Sequence, residues 1–468
     1  MSSNDIKKIL PVVLVGGSGE RLWPISRLFY PKPFVDFDQK GSMFQKTISR
    51  IQAMEKAIIV GNKIHRTLLE RQLTQVNYKS VDIILEPLSK NTAPSLTSAC
   101  MRILEEYGDP IVLVLPADHS VSDMKKFYDD INRGHKFAKD GGVVLFGIEP
   151  KSAETQFGYI KTENVANLSQ NVVKVESFIE KPSFQRAKSF VKSGNYYWNS
   201  GILMLRASVW INLITLFRPE IVYFCKKALE IGNFKDGYLY LDEYHFKKIK
   251  PESIDYAVLE PVASNQSKQK MIPSCYVTSF NSEWSDLGSW DSKFNYGHKN
   301  KEGNVVEGDV ITIDSTDSIF FSKNKLLVSL GLKNIVAIDS KDAIMISSFD
   351  KIDELKNIVS LLKSNQRQEA DIPIYVEENW GSYEIISFSD KIICQKFLLN
   401  PGFSIPLDLL NLVPKKCIVI NGRVEIEIGE NTCEIAPFDV FEIPSDLSCE
   451  ITNNFDEIFE GIIISSSN

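Results

Sequence analysis

Apolar residues fall into two rhythms along this chain. In the first half, short runs rich in β-branched residues alternate with stretches whose apolar positions recur every three or four residues. The runs Ile9–Val15, Ala57–Val60, Ile83–Glu86, Ile111–Leu115, Val143–Gly147, Val173–Phe178 and Gly201–Leu205 read as strands. Phe44–Met54, Arg66–Val76, Ala93–Tyr107 and Met124–Lys139 read as the helices between them. Strands apolar on both faces and separated by helices predict an α/β domain with a largely parallel sheet covered on both sides. Ligands of such sheets bind beyond the carboxyl ends of the strands, so the loops that follow strands hold the candidate chemistry.

The second half changes rhythm. Over 303–350, brief β-rich stretches (Val305-Val306, Val310–Ile313, Ser318–Phe321, Leu326–Leu330, Ile335–Ile338, Ala343–Ile346) recur with turn residues between them. They predict a small all-β connector of the short β-helix kind, and Asp353–Leu362 reads as a helix after it. The polar stretch Ser364–Asp371 ahead of Pro373 reads as a linker. Residues 373–465 alternate strands and turns, as in Cys417–Ile420, Asn421-Gly422 and Arg423–Ile428, which predicts a β-only sandwich or barrel. The expected domains are therefore 1–300, 301–365 and 373–465.

A chain of 468 residues is long enough for two or three cores. Its seven cysteines are scattered without a C-x-x-C pair, the pattern of reduced thiols in a cytoplasmic protein. The apolar run Ile9–Val15 passes straight into glycines, so it reads as a buried strand and not as a signal peptide. No run approaches the roughly 20 apolar residues of a membrane helix. Residues 371–468 hold 17 acids and 5 bases, net −12, which leaves net +5 on the first 370. That mildly basic part suits anionic small molecules and is too weakly basic for a nucleic-acid partner.

The strongest local signal is Gly16-Gly17-Ser18-Gly19-Glu20-Arg21-Leu22-Trp23-Pro24, followed by Pro31-Lys32. Gly16, Gly17 and Gly19 after a strand let backbone N–H groups approach phosphate oxygens, and Arg21 and Lys32 supply the charge a triphosphate needs. The loop is neither a Rossmann fingerprint, since Leu22 stands where the third glycine belongs, nor a Walker A loop, since no Gly-Lys-Ser/Thr ends it. Asp118 follows the strand Ile111–Leu115 and reads equally well as a Mg²⁺ ligand or as the N-cap of a helix starting near Asp123. Asp286 lies in a Trp/Gly-rich turn, where an ordinary turn aspartate is the bland alternative. His119 reads as a structural neighbour and not as a ligand. Glu180-Lys181-Pro182 closes another strand. Glu180 and Asn199 carry groups that hydrogen-bond sugar hydroxyls.

The run from Val15 to Arg27 followed by Tyr30-Pro31-Lys32 resembles the signature of mannose-1-phosphate guanylyltransferases, in the long bacterial form fused to a type II mannose-6-phosphate isomerase domain. The resemblance continues through Glu86–Pro94, Leu115–His119, Phe157–Ile160, Phe178–Pro182, Tyr196–Gly201, Ser253–Ala257 and Trp284–Trp290, and covers essentially the whole chain. One departure is Pro33, where the family usually has glutamine. The resemblance implies a Rossmann-like nucleotidyltransferase domain, then a β connector, then a cupin-like barrel. It implies GTP and mannose 1-phosphate as substrates, Mg²⁺ held jointly by Asp118 and Asp286, and Lys181 on the phosphate of the sugar phosphate. Gly158 falls in the sugar-phosphate motifs, and Asn91 is assigned to the nucleotide, against the commoner role of a cap. A different base or sugar, and a sensor that has lost catalysis, stay open as alternatives, as does assembly into a homo-oligomer.

The C-terminal framework Trp380–Glu384, Pro401-Gly402 and Ile418–Gly422 matches the isomerase cupin, but its metal motif does not. An ungapped alignment puts Asp408, Leu410, Leu412, Val413, Lys415, Lys416 and Cys417 on the motif positions, and no histidine follows His298. Leucines cannot bind a divalent ion and lysines repel it. Isomerase activity is therefore expected to be absent.

Overall fold

The first strand, β1 (Leu10–Val15), is buried along its whole length and sits inside an eleven-stranded mixed sheet. The computed structural model describes residues 6–17, 19–37, 40–162, 172–265, 272–282, 284–378, 380–388, 392–406, 415–429, 431–443 and 449–466. They divide into two compact units: one holds the described residues up to Leu22 and Leu28–His298, the other Trp23–Arg27 and everything from Lys299.

In the first unit, β2 (Ala57–Asn62), β3 (Val81–Glu86) and β4 (Ile111–Pro116) join β1 in a parallel run, order β3-β2-β1-β4. Beyond it, β6 (Val143–Ile148), β8 (Val172–Ile179), β9 (Tyr196–Arg206) and β12 (Cys275–Ser279) complete the middle and one flank. There β9 runs antiparallel to both β4 and β6, while β12 is parallel to β6. The short strand β7 (Tyr159–Thr162) pairs with β8 and β9 at that flank, and β10 (Asn233–Lys235) and β11 (Tyr238–Tyr240) extend the other. Another short strand, β5 (Ser120–Val121), lies outside this sheet. One apolar cluster packs the helices Thr92–Glu106, Ala207–Phe217 and Pro219–Ile231 on one face, and a second packs Met43–Arg50, Arg66–Gln75 and Met124–Lys139 on the other. This is the α/β expectation, with β9 threaded antiparallel through the centre. Ala207–Phe217 has too few polar positions for an amphipathic period, so the periodic reading passed over it.

The second unit carries a four-stranded sheet followed by two antiparallel sheets. In the former, β14 (Val305–Ile313), β15 (Ile319–Leu330) and β16 (Ile335–Asp339) are parallel, and β17 (Ile344–Ser348) returns antiparallel. The separate apolar runs at 305–313 and 318–330 are thus two long strands, not four short ones, with a register shift between Gly308 and Val310. The helix expected over Asp353–Leu362 is a 3₁₀ turn, Phe349–Glu354, running into an α-helix, Leu355–Ser364. The polar stretch read as a linker contains a 3₁₀ turn, Gln368–Ala370, with Ala370 buried.

Residues 375–466 form a six-stranded and a four-stranded antiparallel sheet around a core that includes Trp380, Leu399, Val419, Ile426 and Phe459. Asn421-Gly422 does not close a hairpin. Lys415–Asn421 belongs to the larger sheet and Val424–Ile428 to the smaller, so the chain turns a corner between sheets there. Gly422 sits at φ +76°, and a Cβ on it would lie 2.8 Å from the Ile458 carbonyl oxygen.

Candidate functional site

Lys32 is held by its neighbours before it meets any ligand. Pro31 precedes the 3₁₀ turn Lys32–Phe34. Phe34 is fully buried, packs edge-on against Phe44 at 5.7 Å and accepts a hydrogen bond from Gln72 through its carbonyl. The turn therefore cannot swing out, and the Lys32 ammonium points inward. Its Nζ donates to Asp118 Oδ2 at 2.7 Å and to the Asp286 carbonyl oxygen.

A two-stranded ribbon brings the two aspartates together. Strand β13 (Trp284–Ser285) pairs antiparallel with β5, with Ser285 opposite Ser120 and Trp284 opposite Val121. Asp118 precedes Ser120 by two residues and Asp286 follows Ser285 directly, so both fall at the same end of the ribbon. The capping alternative for Asp118 is excluded, because Asp123 caps the helix Met124–Lys139 through Lys126 N. Burial opposes ionisation of Asp118, but the charge and hydrogen bond of Lys32 outweigh it and hold the carboxyl below its ordinary value. Asp286 Oδ1 accepts from Ser292 Oγ at 3.2 Å. A Cβ on Gly288 would lie 2.5 Å from Asp286 Oδ2 and 3.2 Å from Arg21 Nη2, so glycine there leaves room for both groups. Arg21 makes no ion pair or hydrogen bond among the described residues.

His119 is a structural neighbour here. Its ring stands edge-on to Trp284 at 5.3 Å, and Trp284 Nε1 donates to Nδ1 at 3.3 Å. Burial lowers its pKa, which favours the neutral imidazole.

Gly16 and Gly17 follow β1, are exposed and have open space where a Cβ would be. Gly17 and Gly19 lie at φ +89° and +65°, a conformation that excludes most side chains. Ser18 lies outside the described residues. The segment leads into a 3₁₀ turn, Glu20–Leu22.

The sugar-phosphate candidates form a second group. Glu180 follows β8 with its side chain 8% exposed, and Lys181 Nζ lies 3.1 Å from its Oε1. Lys181 itself is half exposed and sits at φ +45°, a strained position for a lysine that aims its side chain out of the strand line. A Cβ on Gly158 would lie 2.7 Å from Glu180 Oε2, so glycine makes room for that carboxylate. Asn199 on β9 donates through Nδ2 to Asp255 Oδ1 at 3.0 Å. Asp255 opens a π-helical turn, Asp255–Leu259, and is pushed up by burial. Glu180 is pushed up as well, by burial and then by the charge of Asp255, against the pull of Lys181.

The two groups are joined through aromatic rings and one glycine. Phe157 stands edge-on to Trp198 at 5.2 Å and to Trp284 at 5.5 Å, linking the neighbour of Asn199 to the neighbour of Asp286. Gly201 lies at φ +73°, and a Cβ on it would be 3.2 Å from His119 Cε1. Asp255, Phe157 and Trp284 were not singled out from sequence as site residues. All three lie in the motif stretches, and that was the available signal.

Asn91 lines a cavity that also takes in Ser253 and Tyr256, on either side of Asp255. It lies at φ +68° and caps Thr92–Glu106, its Oδ1 accepting from Thr92 N at 2.8 Å, and its amide NH₂ makes no hydrogen bond among the described residues. Behind it, the Ser95 hydroxyl lies 2.6 Å from Glu86 Oε1 and 3.1 Å from the Asn91 carbonyl oxygen. One hydroxyl has one proton to give, so both contacts hold together when Glu86 is protonated and donates to Ser95. Burial pushes Glu86 up to about 8, against the Ser95 hydrogen bond, which agrees with that protonation.

Among the described residues, no group of three or more His, Cys, Asp or Glu side chains gathers at metal-binding distance. A cation at Asp118 and Asp286 would thus be held by two carboxylates, with its other positions left to substrate oxygens. A hard divalent ion that keeps an incomplete protein shell, such as Mg²⁺, fits that donor set. In the C-terminal sheets, Lys416 pairs with Glu442 at 3.0 Å, and burial pushes the Cys417 thiol up to about 12, far from a thiolate ligand. Asp408, Leu410, Leu412 and Val413 lie outside the described residues.

Residues 10–302 match the model of the family described as "Nucleotidyl transferase". The chain belongs to the nucleotidyl transferase family. Within this nucleotidyl transferase, residues 308–362 match a "MannoseP isomerase/GMP-like beta-helix domain". It is 35% identical to the alginate biosynthesis protein AlgA of Pseudomonas syringae pv. tomato over 90% of this chain and 86% of that one. It is 32% identical to a mannose-1-phosphate guanylyltransferase of Klebsiella pneumoniae over 90% and 88%. A crystal structure described as a mannose-1-phosphate geranyltransferase from Thermus thermophilus superposes with a TM-score of 0.65 at 24% identity. It covers 76% of this chain and 99% of its own, and supports the fold. No helix among the described residues is long and apolar enough to cross a membrane.

Proposed function

We propose that this nucleotidyl transferase transfers a guanylyl group from GTP to mannose 1-phosphate, forming GDP-mannose and diphosphate. The observation that carries the chemistry is the β5–β13 ribbon, which sets Asp118 and Asp286 around the Lys32 ammonium, near an Arg21 that is unpaired among the described residues. The choice of sugar and base rests on relatives that bear the guanylyltransferase name, such as that of Klebsiella pneumoniae.

In this reading a phosphate oxygen of mannose 1-phosphate attacks the α-phosphorus of GTP in line. The new O–P bond forms as the bond to the bridging oxygen of diphosphate breaks. The protein supplies no nucleophile, so its contribution is position and charge. The glycine segment Gly16–Gly19 offers backbone N–H groups, and Arg21 and Lys32 neutralise the triphosphate. Lys181 orients the attacking phosphate, while Glu180, Asn199 and Asp255 accept and donate to sugar hydroxyls. Asp118 and Asp286 would hold Mg²⁺, which supplies charge neutralisation at the reacting phosphates when bound.

The C-terminal sheets carry no isomerase chemistry in this reading, since the chain has no histidine beyond His298. Diphosphate release from a panel of nucleoside triphosphates against hexose 1-phosphates tests the whole proposal. Fastest turnover with GTP and mannose 1-phosphate is expected, and a clear preference for another pair would overturn the specificity.

A further inference from the structure

The segment Trp23–Arg27 lies in the middle of the signature motif, yet it belongs to the second unit. The Leu22–Trp23 peptide bond carries the chain into that unit and the Arg27–Leu28 bond carries it back. Arg21 lies two residues before the segment and Lys32 five residues after it. Whatever holds Trp23–Arg27 therefore holds the midpoint of the loop that carries both candidate cations.

Inside the second unit that hold is extensive. The Arg27 side chain has no exposed surface, and its guanidinium meets Asp342, 4% exposed, as a fork: Nη1 to Oδ2 at 2.9 Å and Nη2 to Oδ1 at 2.8 Å. Arg27 Nη1 also donates to the Ile372 carbonyl at 3.1 Å, and Nε donates to the Pro24 carbonyl at 2.8 Å. Asp342 is itself fixed by Ser340 Oγ at 2.9 Å. Trp23 Nε1 donates to the Glu369 carbonyl at 2.7 Å. A buried bidentate pair is costly to break from one side, because the partner is left as an uncompensated buried charge. It also fixes orientation in a way a single-point contact does not.

We propose that Arg27 and Asp342 are a positioning pair for catalysis: by locking Trp23–Arg27, they restrain the backbone directly after Arg21, the cation offered to the triphosphate. Neither residue touches substrate. The inference rests on the nucleotidyl-transfer reading and gives the C-terminal unit a part in it. The residues responsible lie in the connector and in the stretch read from sequence as a linker, which is why composition did not point to them.

The test uses the full chain as wild type, Asp342→Asn and the milder Arg27→Lys, which keeps the charge and loses the fork. Steady-state constants are measured well below each protein's melting temperature. Amide hydrogen exchange is followed over residues 16–34 and over β1, β2 and β4. Asp342→Asn is expected to lower kcat/KM for GTP about a hundredfold and Arg27→Lys about tenfold. KM for the sugar phosphate should stay within about twofold in both, the split expected of a loop that serves one substrate. Exchange should rise over 16–34 and stay unchanged in the three strands. A folded variant with wild-type constants overturns the proposal, as does an equal loss for both substrates or a rise in exchange spread over the strands. If Asp342→Asn does not fold, Arg27→Lys decides alone by the same criteria. If the wild type transfers no nucleotide at all, the function reading fails first; exchange then judges whether the pair holds the loop.

Discussion

Asp118 and Asp286 meet one lysine from distant points in the sequence, the first through its carboxylate and the second through its backbone carbonyl, and each side chain can be removed separately. Replacing either with alanine should lower metal-dependent turnover by more than about a hundredfold, the scale seen when a transition-state charge partner is lost. Asp286→Ala should change the melting temperature little, whereas Asp118→Ala should lower it while leaving the protein folded, because it removes the ion-pair partner of the buried Lys32 ammonium. Near-normal turnover in either variant would remove the metal assignment. Lys181 offers a cleaner separation. Its ammonium is half exposed and pairs only with Glu180 among the described residues, so Lys181→Ala should leave the fold intact. KM for the sugar phosphate should rise about tenfold or more while KM for GTP stays near its original value. A rise in the GTP value instead would put Lys181 at the other end of the site. The residue scale also shows what reading by type left open. Asp118 was balanced between ligand and cap until Asp123 proved to hold the cap, and Asn91, assigned to the nucleotide, also caps its own helix through Oδ1.

At the scale of single elements, two positions make the geometry testable. Gly288 leaves no room for a methyl group beside Asp286 Oδ2, so Gly288→Ala should displace the Asp286 carboxylate and cost about tenfold or more in kcat, with little loss of stability. The junction of β3 with the helix Thr92–Glu106 has a pH signature. Glu86 ionises near the usual carboxylate value when unfolded and at about 8 when folded. The folded state therefore keeps a proton that the unfolded state releases between those limits. Its stabilising share is fully present below the unfolded pKa and is lost as pH rises toward the folded one. The loss is at most about 1.4 kcal/mol per pH unit and levels off above the folded value. Urea denaturation from pH 5 to 8 should show wild type losing stability relative to Glu86→Gln across that range; parallel curves would mean that Glu86 is ionised in the fold.

For the whole molecule, the antiparallel sheets of the second unit are expected to carry no isomerase chemistry. Incubating the full chain with mannose 6-phosphate and divalent metals should give no fructose 6-phosphate. Enzyme-like turnover that survives Asp118→Ala would overturn that expectation. The fold of these sheets does not depend on a metal, because their core of Trp380, Leu399, Val419, Ile426 and Phe459 is apolar.

Local patterning alone determined much of this protein. The strands β1 to β4, the helices between them and the β-only tail follow from apolar period and turn residues. So does the address of the chemistry, in loops after strands, because these are short-range properties of a chain that must bury its apolar face. Tertiary structure decided what depends on distant partners. The β5–β13 pairing, two residues on each side, has no detectable period, yet it alone makes a pair of Asp118 and Asp286. Asp255, at the start of a π-helical turn, meets Asn199 from far along the chain. Ala207–Phe217, apolar nearly all round, shows no face until the sheet and its neighbours supply one. The segment Trp23–Arg27 reads as part of a nucleotide loop, and only the buried carboxylate of Asp342, far along the chain, assigns it to the other unit. Periodicity records which residues must leave water; it carries no record of which buried partner they will meet.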